Sequence, residues 1–160
     1  MMSDLHIVDN YEKTGESINT LIDFWTEKLK NAQEGHYKET ESLNKTHSRI
    51  GVGLIFLTTI ITAFIFYEPI EYKNEIKLAL GMSSAIAVTL SGIVSFGRFS
   101  ERANEHRITA SRYGKLRRQL EYLKATNPEL NQQNDSKQKL KLLRIEWEYI
   151  ASTAPLTPKK

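Results

Sequence analysis

The 160-residue chain contains no cysteine. This excludes a disulfide framework, a thiolate metal site and a cysteine nucleophile, and it fits a reducing compartment. The histidines His6, His36, His47 and His106 form neither a His-Glu-x-x-His motif nor a His-x-x-x-His pair, so the usual zinc spacing is missing. There is no G-x-S-x-G elbow, Walker-type loop or G-x-G-x-x-G run. Gly-rich repeats and low-complexity tracts are lacking too. No catalytic, cofactor-binding or metal-binding residue can be assigned, and the chain reads as a non-enzyme.

Charge is absent from two long stretches. Residues 50–67, IGVGLIFLTTIITAFIFY, and residues 78–97, LALGMSSAIAVTLSGIVSFG, contain no Asp, Glu, Lys or Arg. At the helical rise they extend roughly 27 Å and roughly 30 Å, close to the thickness of a bilayer's hydrocarbon core. The 40% hydrophobic content would suit a soluble helical protein, but the apolar residues are concentrated in these blocks. A buried hairpin in a soluble bundle is the alternative; a soluble core helix would carry a polar stripe, and neither block has a charged one. The first block starts about fifty residues in, too late for the apolar core of a secretory signal. Between the blocks, EPIEYKNEIK with Pro69 reads as a short polar turn.

Orientation follows from Lys and Arg. Lys30, Lys38, Lys45 and Arg49 precede the first block; Arg98, Arg102, Arg107, Arg112, Lys115, Arg117 and Arg118 follow the second. The turn has only Lys73 and Lys77, beside Glu68, Glu71 and Glu75. The positive-inside rule then places both termini in the cytoplasm and the turn outside. Tyr67 and Tyr72 suit the outer interface, Phe96 and Phe99 the inner one. The net charge of +3 is unevenly spread, with 6 basic against 9 acidic residues over 1–49 and 14 against 7 over 98–160. The two ends should attract each other, and surplus basic charge would face anionic lipid or nucleic acid.

Apolar periodicity continues outside the blocks. Ile18, Trp25, Ala32, Glu39 and Thr46 recur every seven residues, interleaved with Ile22, Leu29, His36, Leu43 and Ile50. Phe99, His106, Tyr113 and Leu120 do the same, with Ala103, Ala110, Leu116 and Leu123 alongside. Seams of this kind predict helical arms that pack antiparallel as a continuation of the spans. Asn127-Pro128 breaks the second arm, NPELNQQNDS reads as a loop, and a last amphipathic helix shows Leu140, Leu143, Trp147 and Ile150 on one face. Ala154-Pro155 closes it.

The expected fold is an all-α membrane protein: a two-helix transmembrane hairpin with long cytoplasmic helical extensions and a short C-terminal helix packing on them. The expected elements are a cytoplasmic helix over 17–49, spans at 50–67 and 78–97, an external loop at 68–77, a cytoplasmic helix over 98–125 and a C-terminal helix over 137–151, together one domain over 1–160.

Several polar residues stand out. Glu39, Arg102 and Arg117 fall within apolar seams. Equal steps from the membrane boundaries place Glu39 level with His106 to Ala110, so a pair of Glu39 with His106 or Arg107 is expected, because a buried lone charge is strongly destabilising. For Arg102 the alternative is a long side chain that reaches out to water or headgroups. His36 and His106 read as satisfied packing histidines. Arg98–Glu101, Arg102–Glu105 and Arg117–Glu121 have helical ion-pair spacing. The basic residues fall nearly all round the helix, and Arg107, Arg112, Lys115 and Arg118 remain as contacts for anionic lipid or nucleic acid. Within the blocks, Thr58 and Thr62, and Ser84, Ala87, Ser91 and Ser95, form small, weakly polar faces. Such faces serve close helix packing, or line a pore if several hairpins assemble.

The run Phe99-Ser100-Glu101-Arg102-Ala103, His106-Arg107, Ala110 and Arg112-Tyr113-Gly114-Lys115-Leu116-Arg117-Arg118 resembles the segment that follows the second span in SLATT-domain proteins. Trp25, Ala32, the paired spans and Ala154-Pro155 match the same pattern, so the resemblance covers nearly the whole chain and points to a free-standing member. Glu101, Arg102, His106, Arg107, Tyr113 and Leu116 carry the motif. The resemblance implies a membrane effector of bacterial anti-phage systems that acts as a homo-oligomer. Its partner enzyme, a nucleotidyltransferase or a defence-associated reverse transcriptase, would be encoded nearby. It implies no catalytic residue.

Overall fold

The computed structural model describes residues 18–67, 73–126 and 134–157. They form four helices, α1 (Ile18–Tyr67), α2 (Lys73–Gly97), α3 (Phe99–Thr126) and α4 (Asn134–Thr153), with no strand among the described residues. Residues 68–72 of the loop expected at 68–77, Tyr72 among them, residue 17 and the Asn127-Pro128 break lie outside the described residues. Two corrections concern boundaries. α2 begins at Lys73, five residues before the uncharged block, and α4 begins at Asn134, inside the stretch expected to be loop. Polar residues such as Glu75 and Lys77 are good helix formers outside hydrocarbon, so the apolar run marks only the part of the helix that lipid would require.

The chain divides into two compact units. One gathers the described residues up to Lys38 and from Glu105 onward, and is a three-helix bundle of α1, α3 and α4. Its core comprises Leu21, Ile22, Trp25 and Leu29 from α1, Tyr113, Leu116, Leu120 and Leu123 from α3, and Leu140 and Ile150 from α4. Those of α1 and α3 other than Leu21 are positions of the heptad seams, Leu140 and Ile150 lie on the expected apolar face of the last helix, and burying each large aliphatic side chain stabilises the bundle by about 1.5–3 kcal/mol. Trp25 and Trp147 meet edge to face with centroids 5.8 Å apart. Two ion pairs tie the helices at the rim, Lys124–Asp23 at 2.5 Å and Lys115–Glu146 at 3.8 Å. At the ends of α3 and α4 hydroxyls reach carbonyls left without an intrahelical donor: Thr126 donates to Leu123 O (3.5 Å) and Thr153 to Ile150 O (3.3 Å).

The other unit runs from Glu39 to Asn104. Both of its long helical stretches are long and apolar enough to cross a membrane, and almost none of their apolar residues is buried. Phe56 is 66% exposed, Val88 73% and Phe96 89%. The least exposed positions follow a four-three alternation: Leu43, His47, Ile50, Leu54, Leu57 and Ile61 on α1, and Ile76, Leu80, Ser83, Ala87, Leu90 and Val94 on α2. Thr40 donates its hydroxyl to Ala103 O at 3.3 Å.

The seam after the second block is interrupted, where an unbroken one was expected. α2 stops at Gly97, and Arg98 adopts a left-handed backbone with φ 47°. Arg98 O then accepts from Arg102 N at 2.9 Å, which starts α3. A β-carbon on Gly97 would sit 2.5 Å from the Phe99 ring, so glycine is required there for close approach. The Arg98 guanidinium grips the Glu101 carboxylate with both Nε and Nη2. That carboxylate lies in the first turn of α3, where the helix dipole favours negative charge.

Candidate functional site

Three clusters carry the polar chemistry. The first is in the bundle. Successive inward positions of the α1 seam lead from Leu29 to His36, and those of α3 from Leu116 and Tyr113 back to His106. The two histidines meet: His36 Nδ1 lies 2.9 Å from His106 Nδ1, in one hydrogen bond across 70 residues of sequence. Both are buried, 5% and 2% exposed. The Tyr113 ring stacks on His36 with centroids 5.6 Å apart and planes 30° apart. Burial pushes the His36 value below its ordinary 6.5, and a charge on His106 acts in the same direction. Burial pushes the Tyr113 phenol up. One turn along, Gly114 lets the Gln33 amide come close; a β-carbon there would stand 2.7 Å from Gln33 Nε2.

Both histidines were expected on the seams, but their pairing with each other was not. An acid–base pair announces itself by opposite charge, whereas two like imidazoles do not. The expected partner of His106, Glu39, is half-buried, and no ion pair among the described residues includes it. His106 has a hydrogen bond to His36. Arg102 is exposed, not within the apolar stripe, because its long stem carries the guanidinium outward. Arg117 is partly buried and pairs with Glu121 at 3.3 Å.

The second cluster is the exposed side of α3. Arg107, Arg112, Lys115 and Arg118 are all exposed, while Ala103, His106, Ala110, Tyr113 and Leu116 turn inward. Lys115, expected without a helical partner, has Glu146 of α4. The third cluster is the hydroxyl set in the apolar unit. Thr58, Thr62, Ser84, Ser91 and Ser95 are exposed, whereas Ala87, expected on the same face as the serines, is buried. Thr58 donates to Leu54 O at 2.8 Å and Thr62 to Thr58 O at 2.8 Å, so these hydroxyls are satisfied within their own helix. Among the described residues no group of three or more His, Asp or Glu could hold a metal ion.

Fold and clusters together define an all-helical protein with two helices apolar enough to cross a membrane. No protein-family model, curated protein or solved structure matches the chain.

Proposed function

We propose that the chain is a membrane effector: α1 and α2 cross the bacterial inner membrane as a hairpin, with both termini and the bundle on the cytoplasmic side. Several copies assemble, and a trigger from a partner enzyme or its product opens a pore or disrupts the bilayer and stops growth. The lipid setting rests on exposure. In water an apolar surface of this extent would drive association, whereas hydrocarbon is its natural solvent.

The observation that carries the assembly is the placement of the hydroxyls. At about 100° per residue, Thr58 and Thr62 lie roughly 90° to one side of the seam through Leu54, Leu57 and Ile61. Ser84, Ser91 and Ser95 lie roughly 90° to the same rotational side of the seam through Ser83, Ala87, Leu90 and Val94. In an antiparallel pair these two sides coincide, so one flank of the hairpin is small and hydroxyl-bearing. The other flank has Phe56, Ile60, Phe64, Met82, Ile86 and Ile93, which suit lipid tails. Small residues let helices approach closely, and hydroxyls tolerate water. Two helices cannot enclose a channel, so the first flank is where copies would meet. The family resemblance of the Glu101–Arg118 segment supports the same role.

The test is to express the chain with its neighbouring genes, add phage and follow a membrane-potential dye. Depolarisation before growth arrest is expected; cells that die with potential intact would contradict the reading. A second reading, a non-conducting anchor that recruits a nucleic-acid enzyme, is favoured by the exposed Arg107, Arg112, Lys115 and Arg118 of α3. Replacing Ser84, Ser91 and Ser95 together by leucine separates the two. A pore loses activity, while an anchor still holds its partner at the membrane.

A further inference from the structure

α4 carries two apolar stripes. One, with Leu140, Leu143, Trp147 and Ile150, packs into or against the bundle core. The other consists of Leu142, Ile145 and Tyr149, which are 66%, 54% and 64% exposed. At about 100° per residue these three fall on the side of the helix turned away from the core, at the i, i+3, i+7 spacing of a heptad seam. Tyr122 of α3, also exposed, lines with Leu142 the open groove between α3 and α4, so the band continues onto the neighbouring helix. Single apolar residues on a surface are ordinary, but a line of large ones at this spacing marks a surface that another body covers.

The charges beside the stripe decide which body. Lys141 and Glu148 border it on one side, Lys139 and Glu146 on the other. A helix that lies on an anionic bilayer is flanked by basic residues, and headgroups would repel the two carboxylates. Flanks that mix lysine and glutamate suit another helix instead. With Leu142 and Tyr149 at position a and Ile145 at d, Lys141 is at g and Glu146 at e. In a parallel pair in register, a g residue faces the e residue five places further along the other helix, so α4 complements a copy of itself. The Glu146 side chain keeps 40% exposure beside Lys115 at 3.8 Å, which leaves its carboxylate within reach of a second lysine. We propose that the bundle self-associates through α4: the Leu142–Ile145–Tyr149 stripe packs in parallel on that of a second copy, and Lys141 of each copy faces Glu146 of the other. This interface belongs to the bundle alone and stands whether or not the apolar unit opens a membrane.

Disulfide cross-linking of the full chain in isolated membranes tests the pairing, since the natural sequence has no cysteine. Leu142→Cys and Tyr149→Cys should each form dimers with themselves under copper phenanthroline. Their rates should exceed by about tenfold that of Lys137→Cys, which lies off the stripe at position c of the same helix. All three positions are exposed, so the core is untouched. In the Leu142→Cys background, Glu146→Lys sets lysine against lysine across the pair and should slow linking by about fivefold. Adding Lys141→Glu reverses both charges and should restore the rate to within about twofold. Leu142→Cys that links no faster than Lys137→Cys, or links to a different protein and not to itself, overturns the self-pair. A charge reversal that fails to restore linking overturns the parallel register, as does a link of Leu142→Cys to co-expressed Tyr149→Cys in preference to itself.

Discussion

The two units of this protein use the same residue types in opposite ways. In the bundle the leucines face inward, with Leu29, Leu116 and Leu120 at or below 1% exposed, and charges cover the outside. In the unit from Glu39 to Asn104 most apolar side chains face outward, and among the described residues only Ile61, Ala87, Leu43 and Ala103 are buried apolar residues. Each pattern is stable only in its own solvent: water rewards the first, hydrocarbon the second. Where apolar surface goes thus identifies the surroundings more firmly than how much of it there is.

That contrast can be broken by substitution. The largest effect is expected in the bundle core. Leu116→Ala should destabilise it by about 2–5 kcal/mol, through lost burial plus a cavity. Both tryptophans of the chain, Trp25 and Trp147, belong to this unit, so their fluorescence during denaturation of the detergent-solubilised chain reports the bundle alone. Val88→Arg comes next. Val88 is 73% exposed, and in water an arginine there would be almost neutral; within lipid it should cost about 2.5–3.5 kcal/mol, read as lost membrane insertion. Equal insertion of variant and wild type would remove the contrast.

Two smaller effects sharpen it. A double-mutant cycle on Trp25 and Trp147 should show a coupling of about 0.5–1.5 kcal/mol, the value of an edge-to-face pair beyond its burial. At the break between α2 and α3, Arg98→Gly and Arg98→Ala both lose the grip on Glu101, but only glycine relieves the left-handed backbone. The glycine variant should be more stable than the alanine variant by about 1 kcal/mol in thermal denaturation, and equal stability would show that the turn carries no strain.

Much of this was legible in the residues. The two uncharged blocks marked the stretches whose apolar side chains lie outside the core, and both helices are long and apolar enough to cross a membrane. Heptads at Ile22, Leu29, Tyr113, Leu116 and Leu120 located the bundle core, because a 3.5-residue repeat keeps one face turned inward. The break at Arg98 was hidden, since the residue in the left-handed conformation is an arginine and the neighbouring glycine serves the Phe99 ring instead. The His36–His106 bond was hidden for a chemical reason: its two halves are identical, so no complementary charge points from one to the other. Glu39 attracted attention by its charge and was matched to His106 or Arg107, but no ion pair among the described residues includes it. The exposed basic side of α3 was obscured because a wheel shows angles, not which arc is covered by α1 and α4.

The central proposal is that lipid surrounds both apolar helices, with the 68–72 segment outside and the termini in the cytoplasm. The cysteine-free chain makes a direct measurement simple. Single cysteines at Asn74, near the start of α2, and at Glu34 and Lys139, in the bundle, are probed in spheroplasts with a membrane-impermeant maleimide. The expected result is labelling of Asn74→Cys in intact spheroplasts and of Glu34→Cys and Lys139→Cys only after permeabilisation. Labelling of all three from outside, or recovery of the chain in the soluble fraction, would contradict it.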